Sequence, residues 1–292
     1  MSAQILQLAV NALAVGCIYA VVALSFELAH EATGVVNFAT GQLVMVGALL
    51  GTSAVAFTGA NMPLSYLIVL GGMAVLGIAF FAGAHLPLKN QPPITIVIGT
   101  VGIGIFIQNI AQLAWGPLPF SMRSPVGTGN VQFLGVALPA HALYVIAVTV
   151  VLIGAVYLLL YRSSLGAQFR ALAQDPETAR LMGIRVGFLY ALNWIIVCAL
   201  AGISGLLIGP MWFTDVGMGD SIGLKAFAAA IIGGLGSIPG AILGGLLVGA
   251  AEIFGASYIS SAYKDALVFA MMFLFLLVRP QGIFGERIAE RA

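Results

Sequence analysis

Hydrophobic residues along this chain fall in long continuous blocks, not in alternation with polar ones. Apolar runs extend over about Ile5 to Leu28, Gly41 to Phe57, Leu64 to Leu86, Ile94 to Trp115, Leu138 to Tyr161, Phe188 to Ile208 and Ala266 to Val278. Most approach the roughly 20 residues that a helix needs to cross the hydrocarbon core of a bilayer. Stretches such as YVIAVTVVLIGAVYLLLY lack the period-two pattern of a transmembrane β-barrel, so the spans are read as helices. An eighth region, Ile222 to Phe254, is long enough for two helices but is cut by GGLGSIPG. There Gly233, Gly234, Gly236, Pro239 and Gly240 oppose an ordinary helix. The pattern predicts an all-α integral membrane protein, a single domain over 1–292, with about eight transmembrane elements. One of these is a broken or re-entrant glycine-rich helix.

Composition sharpens this. Of 292 residues, 61% are hydrophobic and only 7% charged, against roughly 25% charged in a soluble domain. The loops left over are too short for a catalytic domain. A net charge of +1 leaves no basic surface able to neutralise several phosphates, which argues against a nucleic-acid partner. Cys17 and Cys198 sit inside apolar runs and read as small buried hydrophobes. No Lys or Arg precedes Lys89, so the first segment reads as a retained span, not a cleaved leader.

Cations set the orientation, because loops rich in Lys and Arg stay cytoplasmic. Residues 162–185 carry Arg162, Arg170, Arg180 and Arg185, and the tail carries Arg279, Arg287 and Arg291. Both are expected inside, which puts the amino terminus, the Gly116 to Pro139 loop and residues 210–221 outside. The last helix then runs inward, so the glycine-rich element either returns to the side it entered from or crosses twice.

The loop 162–186 holds the one sizeable polar segment. Asp175 is a good N-cap, Pro176 suits the first helical position, Glu177 favours the positive helix start and Gly183 can close the end. A short helix over about Pro176 to Met182 is predicted, with Ala179 and Met182 on one side and Arg180 among its polar positions. It serves either as an interfacial helix or as a docking helix for a cytoplasmic partner.

Several chemistries are missing. The three lysines are followed by Asn90, Ala226 and Asp265, so no phosphate-cradling Gly-x-x-x-x-Gly-Lys-[Ser/Thr] loop is present. His30, His85 and His141 are isolated from one another and from Cys, so no metal site is expected. No Ser stands in a Gly-x-Ser-x-Gly turn. No catalytic residue is assigned, and ATP-driven transport would need another subunit to hydrolyse the nucleotide.

The run ATGVVNFATGQLVMVGALLG resembles the N-terminal signature of the high-affinity branched-chain amino acid permeases of bacterial ABC importers. RSSLGAQFRALAQDPETARLMGI is similar to that family's cytoplasmic loop, GGLGSIPGAILGGLLVGAAE to its glycine-rich motif and RPQGIFG to its C-terminal signature. Together they follow the family's order over nearly the whole chain. The resemblance implies a transport subunit, not an enzyme, in the inner membrane of a bacterium or archaeon. It would work beside a second homologous permease, two cytoplasmic ATPases holding ATP and Mg, and a periplasmic solute-binding protein. It carries no cofactor of its own. The implied cargo is a branched-chain or other hydrophobic amino acid, with urea, a short amide or another small polar solute as the alternative. A stand-alone channel or secondary transporter would need none of these partners.

By the same resemblance, Asn37, Phe38, Thr40, Gly41 and Gln42 are expected to line the substrate pathway. Physically, NFATG reads as a helix break. Asn37 can satisfy its own backbone, and the helix starting near Thr40 can direct free N–H groups at a carboxylate. The plainer reading is a cap at the interface. Gly233, Gly234, Gly236, Pro239, Gly240 and Gly244 serve helix packing or a gate. Arg170, Asp175, Pro176, Ala179, Arg180 and Gly183 are expected to couple to the ATPase. Thr40 and Gln42 stand where relatives commonly have His and Glu, and Glu27 and Glu31 where they have uncharged or aromatic residues. Glu252, which matches the Glu that ends the family's glycine motif, is expected to anchor its helix near Lys264 or water. Asp215, Asp220 and Lys225 are expected in an outside loop.

Overall fold

The computed structural model describes residues 2–285 apart from Ala60, Thr128, Leu134 and Gly135. Arg287 and Arg291 lie outside the described residues. The chain forms α1 (Ser2–Thr33), α2 (Thr40–Phe57), α3 (Met62–Phe80) continued by a π turn (Phe81–His85) and one further turn α4 (Leu86–Leu88), and α5 (Pro93–Trp115). After a hairpin of β1 (Asn130–Phe133) and β2 (Val136–Pro139) come α6 (Ala140–Tyr157) with its own π turn (Leu158–Arg162), α7 (Ser164–Gln174) and α8 (Pro176–Leu181). The remainder is α9 (Val186–Ile208), α10 (Met218–Gly233), α11 (Ile238–Tyr258) and α12 (Lys264–Val278). Eight helical stretches among the described residues are long and apolar enough to cross a membrane. Among the described residues, a small hairpin in the predicted outside loop and a single antiparallel bridge between Phe120 and Thr214 depart from the helical pattern; the hairpin's Ala137 carbonyl accepts from Gln7 at 2.6 Å.

Local chemistry sets the helix ends. Asn61 caps α3, with Pro63 in its first turn. Pro93 opens α5, and Gly116 at φ 81° closes it. Pro87 explains the π turn: it has no N–H to give to residue 83, and its ring crowds that carbonyl, so the preceding turn widens. The helix nonetheless continues, and His85 is left buried.

The interior of the bundle is α1, α2, α9, α10 and α11; α5, α6 and α12 bury little of themselves and present apolar surface outward. Close approaches are made through glycine. Gly47 meets Gly202 and Gly51 meets Leu206, so α2 and α9 run parallel. Gly249 and Gly245 of α11 lie on Gly16 and Ala20 of α1, while Gly244 and Gly240 lie on Ala229 and Gly233 of α10. Apart from Gly51, which meets the Leu206 side chain, these are backbone contacts that a side chain would block, as small residues at membrane helix crossings require.

The glycine-rich region is therefore two antiparallel helices joined at Gly234–Ser237. α11 has membrane length; α10, at 16 residues, spans about 24 Å and is shorter than the hydrocarbon core. Two segments fasten the turn. The Glu27 carboxylate of α1 accepts the Gly236 N–H at 2.6 Å. The C-terminal RPQGIFG segment folds back, with Ile283 and Phe284 N–H donating to the Ile232 and Gly233 carbonyls at 2.9 Å. Gly234 (φ 102°) and Gly282 (φ 77°) touch backbone to backbone there.

Lys225 lies on α10, not in a loop. It is buried, 2.6 Å from Glu252 of α11 and 2.7 Å from the half-exposed Asp265 of α12. Tyr19 of α1 donates to the other Glu252 oxygen at 2.5 Å. Lys264, the expected partner of Glu252, stands farther off at 3.6 Å.

Candidate functional site

The helix break between α1 and α2 lies deep in the bundle. Because Gly47 opposes Gly202 in a parallel pair, Thr40 stands roughly 14 Å along α9 from Val186, well away from the Arg-bearing end. Irregular backbone at such depth persists only where protein buries it or water reaches it. Here it is held locally. Asn37 Oδ1 accepts from Ala39 N–H at 3.1 Å, Thr40 Oγ1 donates to the Asn37 carbonyl at 2.8 Å, and the Thr100 hydroxyl of α5 accepts from Phe38 N–H at 3.2 Å.

The five residues of this segment face different ways. Thr40 is enclosed. Gly41 is a crossing point, pressed on the backbone of Gly219 and Gly223 of α10. Phe38 packs its ring on Phe227 at 5.1 Å. Phe38 and Gln42 line a groove of about 260 Å³ between α2, α5 and α10, walled by Phe26, Val101, Ile105 and Leu224. Asn37 lines a separate cavity toward the Arg-bearing end.

One charge stands in the groove. Asp220, in the first turn of α10, accepts from Gln42 Nε2 at 2.6 Å and from Gln108 Nε2 at 3.3 Å, and Gln108 also donates to the Val216 carbonyl at 3.1 Å. Its carboxylate is exposed on the surface of the single chain, yet it neighbours Gly219, which sits on Gly41 at the depth of the helix break. A carboxylate at that depth cannot face lipid without large cost; it needs a protein neighbour or a wet cavity. The expectation that Asp220 belongs to an outside loop is thus corrected. The apolar block at Ile222 concealed the start of the helix, because Gly217, Gly219 and Asp220 read as loop.

At the Arg-bearing end the loop forms two helices. α8 matches the expected Asp175 cap, which accepts from Glu177 N–H at 2.9 Å and from the Thr178 hydroxyl at 2.5 Å. The Thr178 hydroxyl, followed by the backbone N–H groups, holds the Asp175 carboxyl below its ordinary value. Gly183 takes φ 81°. Ala179 is buried with Leu172, Val186 and Leu189, whereas Met182 does not share its side and is 79% exposed, beside Leu181 at 87%. The helix ends one residue earlier than expected, so Met182 falls in the closing turn. α7 was not anticipated, although Ser163 caps it and Leu165, Phe169 and Leu172 repeat at helical spacing. Arg170 of α7 donates to the Leu160 carbonyl, which ties the loop to the end of α6. Pro176 and Arg180 are exposed.

The chain matches the family described as branched-chain amino acid transport system / permease component over residues 8–276. It is 34% identical to the high-affinity branched-chain amino acid transport system permease protein BraD of Pseudomonas aeruginosa, over 98% of this chain and 97% of that one. The LivH permease of the corresponding system in Escherichia coli is 31% identical over the same shares. A probable LivH of Methanocaldococcus jannaschii is 30% identical over 90% and 87%. Among solved structures, PsaBC from Streptococcus pneumoniae superposes with a TM-score of 0.51 at 13% identity, over 94% of this chain and 92% of that one, which is a likeness of fold. By the match over most of its length, this multi-pass membrane chain belongs to the branched-chain amino acid transport system permease family.

Proposed function

We propose that this chain is the inner-membrane permease subunit of an ATP-driven importer for branched-chain or other hydrophobic amino acids, and that the groove holding Asp220 is its part of the translocation path. The observation that carries this reading is a carboxylate exposed at membrane depth between two carboxamides. A zwitterionic solute with an apolar side chain fits that chemistry. Its ammonium would meet Asp220, and its side chain the apolar surface of Phe38, Val101, Ile105 and Leu224. A second homologous permease would cover the groove, since a charge at this depth needs cover. In this reading Asn37, Phe38 and Gln42 border the route, while Thr40 and Gly41 hold the break in place. The glycines of the α10–α11 hairpin set its packing.

Coupling is assigned to α8. Its inner side is anchored through Ala179, while Arg180, Leu181 and Met182 project from the end that the positive-inside rule makes cytoplasmic. Two partner ATPases, holding ATP and Mg, would push there, and a periplasmic binding protein would deliver the solute opposite.

The test is uptake by the complex reconstituted with its ATPases and binding protein. Asp220→Asn is expected to lower leucine uptake at least tenfold with assembly and ATPase content unchanged. Uptake within twofold of the parent would overturn the reading.

A further inference from the structure

The cavity on the other side of the helix break has its own chemistry. It lies between Val36 and Asn37, the π turn of α3, the start of α5 and the first turns of α9, with about 70 Å³ of free space, several times what one water needs. Three polar side chains that line it have a buried atom with no partner among the described residues: Asn37 Nδ2, His85 Nε2 and Trp194 Nε1. These residues are 2%, 8% and 3% exposed. Buried polar groups are nearly always satisfied, so three orphans around one space call for a common explanation.

Their types agree. Asn37 Oδ1 is already engaged by Ala39 N–H, so the free end of its amide is the donating one. An indole N–H can only donate, and an imidazole nitrogen can. The Thr33 and Thr100 hydroxyls at the rim are spent on the Ala29 and Val97 carbonyls. Lys89 stands at the edge, no Asp or Glu lines the space, and the rest of the wall is largely apolar, including Phe80, Leu88 and Ile96. The π turn, frequent at functional positions, is what carries His85.

We propose that this cavity binds an oxyanion borne on an apolar body: the carboxylate of a small apolar acid or amino acid, or the phosphate of a lipid headgroup. Two or three N–H donors in the wall of one largely apolar pocket, with a cation among its lining and no carboxylate, suit a singly charged oxyanion better than an ammonium. The chemistry rests on the cavity itself; only the reading of such a carboxylate as cargo on its way out rests on the proposed transport function.

The experiment uses the complete transporter in phosphatidylcholine nanodiscs without ATP, probed with labelled isovalerate and with isopentylamine, which share an apolar body and differ in the charged group. In Asp220→Asn, which takes from the groove its partner for an ammonium, isovalerate is expected to bind and isopentylamine not. Asn37→Asp is expected to weaken isovalerate at least tenfold and Trp194→Phe about threefold. His85→Leu, expected to weaken it about tenfold, stands in if Asn37→Asp does not assemble. Anionic phospholipid that copurifies with the parent and is lost in the same variants assigns the oxyanion to a headgroup; competition by isovalerate assigns it to a solute. Binding of neither, or binding undiminished in both Asn37→Asp and His85→Leu, overturns the proposal. Asp220→Asn is expected to retain isovalerate binding, so this site and the groove fail separately.

Discussion

Lys225 of α10 and Glu252 of α11 form an ion pair at 2.6 Å, with both side chains almost wholly withdrawn from solvent. The pair joins four helices, since Tyr19 and Asp265 complete it and Trp212 lies under both Lys225 and Lys264 at 5.9 and 5.6 Å. Removing one partner leaves the other charge unmet, at about 3–5 kcal/mol for a buried pair. Lys225→Met or Glu252→Met alone should therefore lower the unfolding temperature in detergent and the amount of assembled protein. The double variant Lys225→Met/Glu252→Met should recover much of the loss; a double variant as unstable as the sum of the singles would contradict this.

Gly240 and Gly71 are both helical glycines, but they differ in surroundings. A methyl at Gly240 meets the Gly233 backbone, whereas one at Gly71 meets nothing within 4 Å. Gly240→Leu is expected to part α10 from α11 and destabilise by about 1–3 kcal/mol or more, through overpacking. Gly71→Ala should be neutral or slightly stabilising, as expected for Gly→Ala in a helix. Thermal unfolding followed by size-exclusion chromatography compares the two.

Asn37→Ala removes the acceptor for Ala39 N–H and a donor from the cavity wall. Uptake should fall several-fold while abundance falls less. A matched decline in both would reduce Asn37 to a local cap.

The Asp175 carboxyl titrates below its ordinary value because Thr178 and Glu177 donate to its ionised form. A depressed value means that its contribution to α8 is complete above the unfolded value, about 3.9, and disappears as pH falls through the lower folded one. Amide exchange at Glu177 and Thr178 should thus stay protected from neutral pH down to about 4 and lose protection only in stronger acid. In Asp175→Ala the protection should be absent at every pH.

Much of the fold was legible because membrane helices announce themselves by length and hydropathy, and because Pro176, Gly183 and Gly116 punctuate the chain where the physics of turns says they should. The glycines of α11 lie at close backbone crossings, but which helix each one meets has no signature in the sequence. Depth was harder. Nothing local says that α2 begins mid-bundle, since that follows from its register against α9 through Gly47 and Gly202. Asp220 was misplaced because glycines blurred the start of α10, and nothing distinguishes Gln108 from Asn109 and Gln112, the other amides of the same helix. His85 and Trp194 gained meaning only when the π turn before Pro87 and the course of α9 brought them to one cavity.

The RPQGIFG segment bonds to the end of α10, about fifty residues upstream. Synthesis runs from the amino end, so the spans can enter the bilayer before this clasp exists, and until residues 279–285 are made the hairpin beneath it is held by Glu27 alone. A chain cut short after Val278 would keep its membrane spans yet lack this clasp, and would offer quality-control proteases a loosened hinge at Gly234–Ser237.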